Sequence, residues 1–132
     1  MTLGDEQRLD VFLHKCLRRI LRIFWPMMVS NEELQRRAQT ELISKQVRRR
    51  RWKWIGHVLR MNQDRTPSVA LTWAPEGKRK RGRPKETWRR TVEKERNKLG
   101  FGSWAETRKV ATDRDEWRLL ISSPILYGER RN

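Results

Sequence analysis

Apolar residues in this chain recur at three- and four-residue intervals and never in a long unbroken run. It can therefore bury them only as a set of short amphipathic helices. Leu9, Phe12, Leu13, Cys16, Leu17, Ile20 and Phe24 make the first stripe, with Asp5 placed as its N-cap and Lys15, Arg18 and Arg22 on the opposite side. Pro26 ends it, because proline has no amide hydrogen and disfavours helical geometry at Trp25. Ser30 and Glu33 have capping-box spacing and open a short polar helix to about Ala38. A further start at Ser44 leads into residues 45–61, where Val47, Trp54, Val58 and Met61 share one side and Ile55, Leu59 and Trp52 widen it. Trp52 and Trp54 point to different sides, and Trp54 is assigned to the core. Arg51 falls inside the apolar stripe and is expected to snorkel or to pair with a carboxylate such as Glu41.

Beyond Met61 the signals are more broken. Residues 62–67 read as a loop, and 68–73 as either a turn of helix or a strand. The stretch from Ala74 to Lys85 has prolines, glycines and many cations, as expected of an extended linker. Pro84 suits the first position of a helix with the stripe Trp88, Val92 and Leu99, stopped by Gly100. Ser103 with Glu106 forms a second capping box, starting one helix that buries Trp104, Val110, Ala111, Trp117 and Ile121. The expectation is an all-α protein of about five helices in two small clusters, 5–61 and a helical hairpin at 84–121. A loop and basic linker at 62–83 would join them, with a loose tail at 122–132. Seven tryptophans argue against wholesale disorder.

Positive charge is localised. Residues 45–60 contain seven Lys/Arg and no acid, residues 78–98 contain eleven against three acids, and the two runs together supply fifteen of the formal net charge of +16. Charge concentrated this way gains counterion-release free energy where several cations meet several phosphates, so nucleic acid is the first partner to consider. On the helix at 45–61, Arg49, Lys53 and Arg60 collect on the face away from the apolar stripe, flanked by Arg50 and His57. A merely solvated face normally mixes both signs, which this one does not.

Lys80-Arg81-Gly82-Arg83-Pro84-Lys85 has the form of an AT-hook, in which glycine lets the backbone approach the minor-groove floor while arginines enter the narrow groove. The same residues read equally as a basic linker. Arg90 and Lys94, with Lys98, extend the cationic track along the next helix, and Glu86 can pair with Arg90. Asp113, Asp115 and Glu116 beside Arg114 and Arg118 read as surface ion pairs. There is no glycine-rich phosphate loop, no pair of carboxylates in an apolar setting and no nucleophile–histidine pairing, so the reading is of binding without catalysis. Cys16 alone excludes an internal disulfide framework, and with His14 and His57 it cannot complete a four-ligand zinc site, so no metal or other cofactor is expected. No stretch approaches the ~20 apolar residues of a membrane span. The chain is read as soluble and intracellular, without a membrane or small-molecule partner.

The block Arg48-Arg49-Arg50-Arg51-Trp52-Lys53-Trp54-Ile55-Gly56-His57-Val58-Leu59-Arg60-Met61, then Ala70-Leu71-Thr72-Trp73, then Gly77-Lys78-Arg79-Lys80-Arg81-Gly82-Arg83-Pro84-Lys85-Glu86-Thr87-Trp88-Arg89-Arg90, resembles the carboxyl-terminal region of RTE-type non-LTR retrotransposon endonuclease–reverse transcriptases. Leu9-Asp10-Val11-Phe12 and Lys15-Cys16-Leu17-Arg18-Arg19-Ile20-Leu21 are similar to the segment following the polymerase in those proteins. The resemblance implies a nucleic-acid-handling appendage in a nuclear or cytoplasmic ribonucleoprotein, with RNA or DNA, the parent element's RNA, or its polymerase as partner. The family's endonuclease and its polymerase, with the aromatic-x-Asp-Asp metal-binding motif, have no counterpart in these residues, so the expected object is a remnant that binds without turnover. A chromatin protein using a true AT-hook, and a degenerate fragment without function, are the alternatives.

Overall fold

In a computed structural model, the structure of the chain is described for residues 2–74, 76–77, 82, 87–123 and 126. Among them there are seven α-helices and no strand. The all-α class is as expected; the helices are more numerous and shorter than the apolar stripes suggest. None is long and apolar enough to cross a membrane. The chain divides into two compact units, Met1–Arg48 and Arg49–Asn132. The division falls within one helix rather than in the stretch at 62–83.

In the first unit, α1 (Leu3–Ile20) is capped by Thr2, not Asp5. The Thr2 hydroxyl accepts from the Asp5 amide at 3.2 Å and the Asp5 carboxylate accepts from the Thr2 amide at 2.8 Å, a reciprocal box that satisfies two otherwise orphaned donors. The helix stops before Phe24, because the chain turns through Arg22 at φ 52° in the left-handed region. Leu17, Ile23 and Leu34 form the core here, with Leu13, Val29 and Ala38 against it. Only one flank of the expected stripe finds a partner. The covering helix, α2 (Asn31–Ala38), is two turns long, and Phe12, Ile20 and Phe24 stay exposed. Arg18 fastens the connection by donating to the Val29 carbonyl and to Asn31 Oδ1, each at 2.9 Å. Ser30 caps α2 as expected, but Glu33 completes no box. Its carboxylate turns to Arg37 at 2.7 Å and Arg36 at 2.6 Å, and these bonds hold it below the usual carboxylate range.

The third helix, α3 (Ile43–Leu59), starts in this unit. Its first turn is met by Asp10 of α1, whose carboxylate accepts from the Ser44 amide at 3.0 Å and the Ser44 hydroxyl at 2.6 Å. Arg48 donates to Glu6 at 2.8 Å, with both side chains largely buried.

The second unit is built on the remainder of α3. Trp52, Ile55, Val58 and Leu59 are buried in one core with Leu71 from α4 (Thr66–Thr72), Val92 from α5 (Trp88–Lys98), Ala111 from α6 (Trp104–Thr112) and Trp117 and Ile121 from α7 (Arg114–Ser122). Residues expected in separate clusters thus share a single interior. Leu126, from the stretch expected to be loose, is fully buried there too. Trp52 takes the core position assigned to Trp54, and Trp54 is 49% exposed. The physical reason is Glu95, itself only 5% exposed. One carboxylate oxygen accepts from Trp52 Nε1 at 2.7 Å and the other from Arg51 Nη1 at 2.7 Å. Arg51 therefore has a buried partner on α5, not Glu41.

Gly56 lies against Trp117, and a side-chain carbon there would overlap the indole. A glycine inside a helix costs about 1 kcal/mol relative to alanine, and this notch is what it secures. The Trp117 Nε1 reaches the Trp52 carbonyl at 3.2 Å and the two rings tilt at 50° with centroids 6.0 Å apart. Arg108 of α6 donates to the carbonyls of Leu59 and Met61 and to Ser68 Oγ, covering acceptors left open at the end of α3. The expected long helix after Ser103 is two helices. Asp113, with ψ 114°, ends α6, and its side chain caps α7 through the amides of Asp115 at 2.9 Å and Glu116 at 3.0 Å. Those bonds hold the Asp113 carboxyl below its ordinary range. Thr87 caps α5; Pro84, expected to start that helix, lies outside the described residues.

Candidate nucleic-acid interface

Burial of Trp52, Ile55, Val58 and Leu59 turns the rest of α3 outward, and that remaining face is where its cations sit. Arg49, Lys53, His57 and Arg60 follow one another at four- and three-residue steps, so they line a single strip of the helix, with Arg50 and Trp54 beside it. Arg114, Arg118, Ile121 and Ser122 of α7 complete the walls of a cleft of about 810 Å³ around this strip. Trp117, nearly inaccessible, contributes to its base. Among the described residues six Arg/Lys side chains line the cleft and no carboxylate does. Its interior is therefore an electropositive depression with apolar and aromatic surface at the bottom.

The crowding of cations registers on Arg60. Burial first, then the nearby charges of Arg114 and Arg118, push its guanidinium below the ordinary arginine range. An anion entering the cleft would relieve that repulsion. Arg60 is also held in place by donating from Nη1 to the Ala111 carbonyl at 2.9 Å. Arg118 meets Asp115 at 3.0 Å, but both side chains are highly exposed, and such a surface pair is worth little in water. Trp54 packs nearly perpendicular to Trp88, at 76° with ring centroids 6.3 Å apart.

Of the residues singled out from the sequence, Arg49, Arg50, Lys53 and Arg60 are brought together on the cleft. Arg90 and Lys94 are on α5 and do not line it. Lys80, Arg81, Arg83 and Lys85, and with them the AT-hook-like segment, lie outside the described residues. Arg114 and Arg118 were missed as site residues. Their i, i+4 spacing was visible, but the acids among them suggested mutual neutralisation. Among the described residues no three His, Cys, Asp or Glu side chains are placed to share a metal ion. Compared with protein-family models, with curated proteins and with solved structures, the chain shows no significant match to any.

Proposed function

We propose that the second unit binds nucleic acid through its phosphate backbone at the α3–α7 cleft, without catalysis and largely without regard to sequence. The observation that carries this reading is the lining of the cleft: six cations and, among the described residues, no carboxylate, with an arginine pushed below its ordinary range by burial and then by its like-charged neighbours. Such a site suits a polyanion better than an acidic protein surface of mixed charge, because regularly spaced phosphates can neutralise several arginines at once and release their condensed counterions. Arg49, Arg50, Lys53, Arg60, Arg114 and Arg118 are the contacts; Lys80, Arg81, Arg83, Lys85, Arg90 and Lys94 extend the attraction beyond it.

The resemblance to the carboxyl-terminal region of RTE-type reverse transcriptases supports the same reading, as an RNA- or DNA-holding appendage whose parent chemistry resides in domains with no counterpart here. The test is fluorescence anisotropy of labelled oligonucleotides, with heparin as competitor, on the wild type and on a variant carrying Arg114→Gln and Arg118→Gln. Binding that heparin displaces and that weakens severalfold in the variant supports the cleft as the site. Undiminished binding by a folded variant moves the site elsewhere, and no binding in dilute buffer refutes the function.

A further inference from the structure

The cleft holds more than cations, and its aromatic content is the part that backbone attraction does not explain. Trp54 lies on its wall with about half of its surface exposed, although an interior position was open to a tryptophan two residues earlier. Its near-perpendicular packing against Trp88 pins the ring. Whichever of the two indoles supplies the edge in that pair, Trp88 leaves at least one face of Trp54 uncovered. A fixed, accessible indole face amid arginines and a lysine is the arrangement by which proteins hold unpaired strands: the cations follow the phosphates and the ring stacks on a base. A duplex offers no such base, since every interior π-face is already stacked, and a cleft of about 810 Å³ has the dimensions of a pocket for a small number of ring systems, not of a trough for a double helix.

Resting on the backbone-binding function above, we propose that this cleft is selective for single-stranded nucleic acid, with one unpaired base stacked on Trp54 while flanking phosphates meet Arg49, Arg50, Lys53, Arg114 and Arg118. The contact is sequence-tolerant, because every base has a π-face, and it makes no distinction between ribose and deoxyribose at the stacking position. It would direct the unit to displaced or unwound strands rather than to intact duplex.

An abasic strand separates the two components, having the same phosphates and no bases. Wild-type protein is titrated with labelled decamers of dT and rU, an abasic decamer of the same backbone charge, and a hairpin duplex, followed by anisotropy at fixed salt. The dT and rU strands are expected to bind about 5- to 100-fold more tightly than the abasic strand, and more tightly than the hairpin. Trp54→Ala removes that difference while leaving abasic and hairpin binding within about 2-fold. Trp54→Phe, which keeps a ring, retains most of it, and guards against a loss of folding in the alanine variant. Equal affinity of the wild type for base-bearing and abasic strands overturns the proposal, as does tighter binding of the hairpin. Either result, with salt-sensitive binding intact, leaves backbone binding standing; failure of all four probes removes that as well.

Discussion

Removing the Glu95 carboxylate should unfasten the second unit from its centre. The side chains of Arg51 and Glu95 are 11% and 7% exposed, and the same carboxylate accepts from the fully buried Trp52 indole. Taking one partner from a buried ion pair costs about 3–5 kcal/mol, since the remaining charge is stranded. An orphaned buried N–H costs about 1–3 kcal/mol, overlapping with the first effect. Glu95→Ala should therefore destabilise by about 4–6 kcal/mol. That is comparable with the whole stability of about 4–12 kcal/mol expected for a unit of this size. Glu95→Gln, which still offers the indole an acceptor but leaves the Arg51 charge without its counter-ion, should cost about 3–5 kcal/mol. Pairing it with Arg51→Met removes the stranded charge and fills its volume, and the double variant should recover to within about 1 kcal/mol of wild type. Urea unfolding followed by tryptophan emission measures all of these. Free energies for the double variant that equal the sum of the two singles would refute the coupling on which this reasoning stands.

Further expectations follow from other contacts. Gly56→Ala should destabilise by about 1–3 kcal/mol despite alanine's better helix propensity, because the added methyl must displace the Trp117 indole; a stabilised variant in urea melts would contradict the notch. Ser44→Ala should cost about 1 kcal/mol by loosening the Asp10 contact at the start of α3, and Asp10→Ala more; melts unaffected by either exclude that role. Asp113 has a folded pKa below its unfolded one, so its contribution is present above about pH 4 and is lost as the pH falls through the folded value. Asp113→Asn keeps an acceptor for the cap but no titrating charge, so its melting temperature should fall less between pH 5 and pH 2 than that of the wild type, as circular dichroism would record.

The helical class was legible because its signals are local: apolar steps of three and four, and capping hydroxyls such as Ser30 and Ser103 that act within one turn. What sits against what was not legible. Trp52 and Trp54 are about 200° apart on a helix, so only one can face the interior, and nothing near them in sequence chooses. The choice is made by Glu95 and Trp117, which lie 43 and 65 residues from Trp52. Thr2 rather than Asp5 caps α1 because the helix reaches back to Leu3, a full turn and more before the first residue of the apolar stripe, Leu9, so periodicity did not mark where it begins. Four of the six cations of the site were readable, since the acid-free run at 45–60 leaves its helix no internal neutralisation. The other two were hidden by composition: Arg114 and Arg118 are interleaved with acids, but in the fold Asp113 caps α7, and among the described residues no carboxylate lines the cleft.

The central claim is that the exposed strip of α3 meets phosphates. Its most direct test is the slope of log K against log salt for a single-stranded and a duplex oligonucleotide, compared between wild type and the folded triple variant Arg49→Gln, Arg50→Gln, Lys53→Gln. Each lost phosphate contact should flatten the slope by about 0.7 on the single strand and about 0.9 on the duplex, so the triple variant should lose about 2 units or more, whatever the sequence bound. A slope that matches the wild type's would contradict the account.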